Sequence, residues 1–154
     1  MNDRELMEMA IKLSADAVSH GNEPFGAVLA KDGEVIYTNE NQIYTQHDPT
    51  FHAEAGLLRR FFAETGITDL SGYTLYSSCE PCFMCSGALV WAGLGRLVYA
   101  ASNRDLEEIL GGSGCDCSRI VFENSFRGPQ ATSGILREES LQILRAYFKD
   151  HAKG

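Results

Sequence analysis

His52-Ala53-Glu54, followed further along the chain by Pro81-Cys82-Phe83-Met84-Cys85, is the pair of stretches on which the reading of this chain turns. Together they offer one imidazole and two thiolates. That ligand set suits Zn²⁺ and leaves the fourth tetrahedral position open, the arrangement of a catalytic rather than a structural zinc. Glu54 stands two residues from His52 and is not counted among the ligands. A carboxylate there is placed to exchange a proton with water at the open position, whose pKa zinc lowers towards neutrality.

Each half alone carries much less. A lone C-x-x-C is also a redox pair or half of a structural zinc site. A redox role for Cys82 and Cys85 leaves His52 and Glu54 without a purpose. A closed structural site needs a fourth ligand, and His47, Cys79, Cys115 and Cys117 stay open for it at this stage.

Outward from these motifs the chain alternates helix and strand. Leu6, Met9, Ala10, Leu13 and Ala17 recur at spacings of three and four, predicting a helix from Asp3 to about Ser19. Phe25 to about Tyr37 reads as a hairpin turning at Asp32-Gly33. Thr50 is placed to cap a helix from about Phe51 to Glu64, with His52 and Glu54 in its first turn. Tyr73 to Ser77 reads as a strand, and Glu80-Pro81 opens a helix to about Trp91. Cys82 and Cys85, at i and i+3, then share one face. Two helix N-termini converge on the metal, and their positive ends favour thiolate. Gly95 to Ala101 reads as a strand, Leu106 to Leu110 as a short helix, Gly111-Gly112-Ser113-Gly114 as a loop, Arg119 to Glu123 as a strand and Arg137 to about Lys149 as a helix. This alternation predicts a layered α/β domain with a mixed sheet.

At 154 residues the chain reads as one domain, residues 1–154, and its 44% hydrophobic and 22% charged content is ordinary for a globular protein. No apolar run approaches the ~20 residues that span a bilayer. The polar, acidic Met1-Asn2-Asp3-Arg4-Glu5 start predicts no signal or transit peptide and favours the cytoplasm. An odd count of five cysteines, two given to metal, fits a reducing compartment better than a disulfide framework. The net charge of −8, with Arg59-Arg60 as the one pair of adjacent basic residues, weighs against a nucleic-acid substrate, since phosphate contacts supply most of such affinity.

The H-x-E and P-C-x-x-C motifs resemble the signature of zinc nucleobase deaminases. From about Asp3 to Ala101 the chain is similar to the cytidine deaminase superfamily, within it to the branch of guanine deaminases, fungal-type cytosine deaminases and tRNA adenosine deaminases. The resemblance implies a three-layer αβα sandwich around a five-stranded mixed sheet. It implies one Zn²⁺ per chain on His52, Cys82 and Cys85, with Glu54 as proton shuttle, and a homodimer. It implies a base-binding Asn41, whose amide suits a purine or pyrimidine edge although loop capping is its ordinary use. Phe25, within Pro24-Phe25-Gly26-Ala27, is implied beneath the base, and Ala53 offers it a backbone amide. Counting on from Val98-Tyr99-Ala100-Ala101, Asp105 falls where guanine deaminases carry a second carboxylate that assists proton transfer. An Asp capping a helix from Leu106 is the competing reading. Tyr147 and Phe148 are candidates to close over the base. Cys79 reads as a buried strand-end thiol and Trp91 as buried or at a subunit contact.

Three functions compete. The first is a free-base deaminase acting on guanine or another 2-amino-4-oxo ring such as isocytosine, with cytosine and nucleosides as variants. The second is a tRNA adenosine deaminase producing inosine, which the same motifs fit but the charge does not favour. The third is a non-catalytic zinc-stabilised subunit, for which Glu54 has no use.

Overall fold

The computed structural model describes residues 1–151. α1 (Asp3–Ser19) opens on a capping box in which Asn2 and Glu5 satisfy each other's backbone amides. The hairpin of β1 (Gly26–Lys31) and β2 (Glu34–Glu40) follows. Asp32 and Gly33 both adopt positive φ, 51° and 76°, as a tight hairpin turn matching the strand twist requires. α2 (Ala53–Thr65), β3 (Thr74–Cys79), α3 (Phe83–Ala92) and β4 (Arg96–Ala101) form the centre. α4 (Asn103–Ile109), α5 (Cys117–Glu123), β5 (Gln130–Ser133) and α6 (Arg137–Phe148) complete the described chain.

The five strands lie in the order β2-β1-β3-β4-β5. β1 pairs antiparallel with β2 and β3, whereas β3–β4 and β4–β5 are parallel. Successive strand residues point to opposite faces, and both faces are covered. Ala27, Leu29, Leu75 and Leu97 pack against Leu57 and Phe61 of α2 and Leu89 of α3. Val28, Ala30, Tyr76 and Val98 pack against Leu6, Met7 and Ala10 of α1, with Ile143 of α6 at the edge. This is the expected α/β sandwich with a five-stranded mixed sheet. Double coverage explains why β1 reads Ala27-Val28-Leu29-Ala30, an unbroken apolar run. Gly26 lets α1 approach that strand closely, since a Cβ there would meet the Ala10 carbonyl at 2.3 Å.

Some boundaries differ from the sequence reading, each for a local reason. Thr50 does not cap α2: its hydroxyl and amide both donate to Asp48, and His52 takes the N-cap position. Pro81 lies just outside α3, whose N-cap is Cys82. The stretch Arg119 to Glu123, read as a strand from its β-branched centre, lies in helix α5. Its first turn is bound by Glu80, which accepts from the Ser118 amide at 3.0 Å and also from the Ser118 hydroxyl. The fifth strand comes instead from Gln130–Ser133. Trp91 is not buried but 77% exposed, on the outward face of α3.

Candidate active site

The C-terminal ends of the parallel strands β3 and β4 open onto one cavity, as ligand crevices in such sheets do. It is lined by Glu23, Phe25, Asn41, His52, Glu54, Cys79, Glu80, Cys82, Asn103 and Leu106, and holds about 430 Å³ of empty space including its mouth.

His52 and Cys82 are the N-cap residues of α2 and α3, and neither side chain makes a capping bond to its own helix. Both are thereby left to face a metal. His52 Nδ1 lies 3.6 Å from Cys82 Sγ and 3.7 Å from Cys85 Sγ. Ligands of a tetrahedral zinc at ordinary bond lengths stand about 3.5 Å apart, so the three atoms already describe one face of that tetrahedron. First-turn amides support the sulfurs: Ala55 N–H donates to Cys85 and Cys85 N–H to Cys82. The Cys85 thiol also donates to the Cys82 sulfur. This bond, ahead of the His52 interaction, holds Cys82 well below the usual thiol range, at about 4. The same bond and then burial push Cys85 up. A divalent ion takes the place of that shared proton and leaves both sulfurs as thiolates.

Glu54, 6% exposed in the first turn of α2, lines the same cavity. Burial first, then the negative Cys82, pushes its carboxyl up to about 7, against the pull of His52 and the Ser77 hydroxyl. A carboxylate poised near neutrality is suited to take and return a proton. Asn41 is 2% exposed, and its Oδ1 accepts from the Ile43 amide at 3.1 Å. The loop-capping use therefore holds for the oxygen, and it fixes the amide whose nitrogen remains a donor. Phe25 lines the cavity with its ring 6.4 Å from that of Phe148. Ala53 is fully buried and does not line the cavity; its amide is a first-turn helix donor, without a partner inside its own helix.

The structure does not bring Asp105 to this group. α4 begins at Asn103, which makes Asp105 the third residue of a capping box with Ser102. Its carboxylate also takes a bidentate pair from Arg137, Nη2 at 2.6 Å and Nε at 2.9 Å. Asp105 lines a separate groove with Arg137, Arg145 and Lys149. Helix capping, the competing reading, describes it. Sequence reasoning missed Glu23, Glu80 and Asn103. Glu80 accepts from the Asn103 amide at 2.9 Å as well as from Ser118, tying the loop before Cys82 to α4 and α5. Its one sequence signal was its place between Cys79 and Pro81. Cys79 is buried at the end of β3, as expected, and Cys117 donates to the Pro81 carbonyl at 3.3 Å. No disulfide joins any of the five cysteines.

Residues 1–101 match the family model described as the cytidine and deoxycytidylate deaminase zinc-binding region. The chain belongs to this deaminase family. It is a zinc-dependent hydrolytic deaminase with one Zn²⁺ per chain. It is 40% identical over 124 residues to a guanine deaminase of Bacillus subtilis, covering 80% of this chain and 77% of that relative. It is also 32% identical over 157 residues to a tRNA-specific adenosine deaminase of Buchnera aphidicola, covering 99% of this chain and 91% of the relative. A solved guanine deaminase from Nitrosomonas europaea superimposes with a TM-score of 0.83 at 28% identity, covering 95% of this chain and 84% of that one.

Proposed function

We propose that the deaminase acts on a free nucleobase, guanine or a related 2-amino-4-oxo ring such as isocytosine, replacing its exocyclic amine with oxygen and releasing ammonia. One observation carries this reading: among the described residues, the cavity is lined by Glu23, Glu54 and Glu80 and by no Lys or Arg. A lining of that sign suits a neutral, donor-rich ring and repels phosphate. Zn²⁺, when bound, supplies an acidified, nucleophilic water. Glu54 takes the proton of that water and hands it to the ring nitrogen beside the reacting carbon; it then takes the proton of the hydroxyl added to that carbon and gives it to the departing amine, so that ammonia leaves as the C=O bond forms. Asn41 holds the base edge, the Ala53 amide serves as a further donor, and Phe25 covers one ring face.

The tRNA-deaminase relative supports a second reading. The residues that favour it here are Arg137, Arg145 and Lys149 beside the site. Two of these are neutralised, Arg137 by Asp105 and Arg145 by Glu138. With a net charge of −8, this supports the free base over RNA.

We further infer that the whole chain acts as one domain, that it works in the cytoplasm, and that it pairs as a homodimer. Five cysteines without a disulfide suit a reducing compartment. Trp91 and Met84, exposed by 77% and 41%, border a groove with Leu58, Phe62 and Ala88 of α2 and α3. A second copy would bury this apolar surface.

Ammonia release by the zinc-loaded protein across guanine, isocytosine, cytosine, guanosine and an adenosine-containing anticodon stem-loop tests the substrate class. Release from guanine or isocytosine is expected. Release from the stem-loop alone would assign the site to RNA.

A further inference from the structure

Of the three carboxylates in the cavity, two have work to do. Glu54 is beside the metal ligands, and Glu80 is held by Asn103 and Ser118 as a brace. Glu23 is the third. It is 3% exposed, it precedes Pro24 and Phe25 in the segment entering β1, and it lines the cavity. Tyr44 Oη donates to its Oε2 at 3.3 Å. Its negative charge is also felt by Tyr147 of α6. Glu54, in contrast, lines the cavity beside His52 and Cys82, two residues from His52 in sequence. Tyr44 is 43% exposed and lines a neighbouring groove with Tyr147. The two carboxylates therefore keep different company, Glu54 with the metal ligands and Glu23 with Tyr44.

A buried carboxylate accepts hydrogen bonds and donates none, and its two oxygens have room for several. A guanine ring with its C2 carbon at the metal end turns its imidazole edge to the other end. In the free base that edge bears an N–H. In a nucleoside the same nitrogen bears the sugar, and the remaining imidazole nitrogen is an acceptor that a carboxylate repels. Isocytosine has no imidazole edge at all.

We propose that Glu23 determines specificity by accepting the imidazole N–H of a free purine base, selecting guanine over its N9-substituted forms and over isocytosine. The inference rests on the free-base reading and narrows it. A ribose hydroxyl is the other donor that could meet a carboxylate there, and the experiment separates the two.

The test compares kcat/KM of the zinc-loaded wild type, Glu23→Gln and Glu23→Ala on guanine, 9-methylguanine, guanosine and isocytosine. Loss of a hydrogen bond to a charged group changes affinity by about ten- to a hundredfold. The preference for guanine over 9-methylguanine is expected to fall by about that factor in Glu23→Ala, mostly through KM. It is expected to fall less in Glu23→Gln, which keeps an acceptor oxygen and the side-chain shape. The preference is a ratio within one preparation, so a partly folded variant does not distort it, and Glu23→Gln carries the test if Glu23→Ala fails to fold. An unchanged ratio, with wild type active on guanine, overturns the inference and leaves the free-base reading standing. A larger loss on guanosine than on guanine assigns Glu23 to a sugar hydroxyl and overturns it as well. A wild type silent on every free base but active on the stem-loop overturns both.

Discussion

At the scale of single residues, the proposed mechanism separates binding metal from moving protons. His52, Cys82 and Cys85 provide the three ligand atoms, within 4.8 Å of one another, and Glu54 lies beside them without being one. Glu54→Gln is therefore expected to retain zinc at one per chain while kcat falls by about a hundredfold or more, the usual worth of a positioned acid–base group. Metal analysis and ammonia release on the same sample check both halves. Loss of zinc, or retained turnover, would contradict the separation. The ligands were legible in the sequence because chemistry restricts them to few residue types at fixed spacings. Glu23 was not, because a single Glu in a turn carries no period. The partner that reaches it, Tyr44, comes from a distant loop. Asp105 was left between two readings for the converse reason. Its local sequence allowed either a cap or a site residue, and Arg137, 32 residues on, fixes it as a cap.

At the scale of elements, the site depends on where helices begin. α2 and α3 start at their metal ligands, so a sequence reading that starts them one or two residues early still delivers both N-termini to zinc. The misread element is α5, whose Ile120-Val121-Phe122 suits a strand by local preference. Tertiary bonds from Ser118 to Glu80 overrule that preference. The Asp105–Arg137 pair joins the start of α4 to the start of α6, the helix that carries Tyr147 and Phe148. Arg137 first of all holds the Asp105 carboxyl down, at about 2. A carboxyl lowered in the folded state adds stability above its unfolded pKa of about 3.9, and that stability is lost as pH falls towards the folded value. Asp105→Asn is thus expected to be less stable than wild type at pH 7, by about 1 kcal/mol once the half-exposed Arg137 is discounted for solvent screening. The gap should close between about pH 4 and pH 2. Urea unfolding at pH 7 and near pH 2.5 checks this, and a gap that widens on acidification would contradict it.

At the scale of the whole molecule, the five-stranded sheet covered on both faces follows from the helix–strand alternation, and the motifs fix where its ligand end lies. What a single sequence does not display is the surface. Trp91 meets Phe126 edge-on, with ring centroids 5.6 Å apart, and both rings are largely exposed. Sedimentation of the zinc-loaded protein is expected to give twice the 16.9 kDa chain mass, and Trp91→Glu to shift it towards the monomer. A monomeric wild type would contradict pairing through this face. The same scale holds the substrate question, because a charge of −8 and a cavity lined, among the described residues, by no Lys or Arg act together against a polyanion. The most direct measurement is kcat/KM for guanine and for an adenosine-containing anticodon stem-loop, on one zinc-loaded preparation at one salt concentration. Conversion of guanine to xanthine with an equal yield of ammonia, and no inosine from the stem-loop, is the expected result. Inosine formation with guanine left intact would contradict the free-base function.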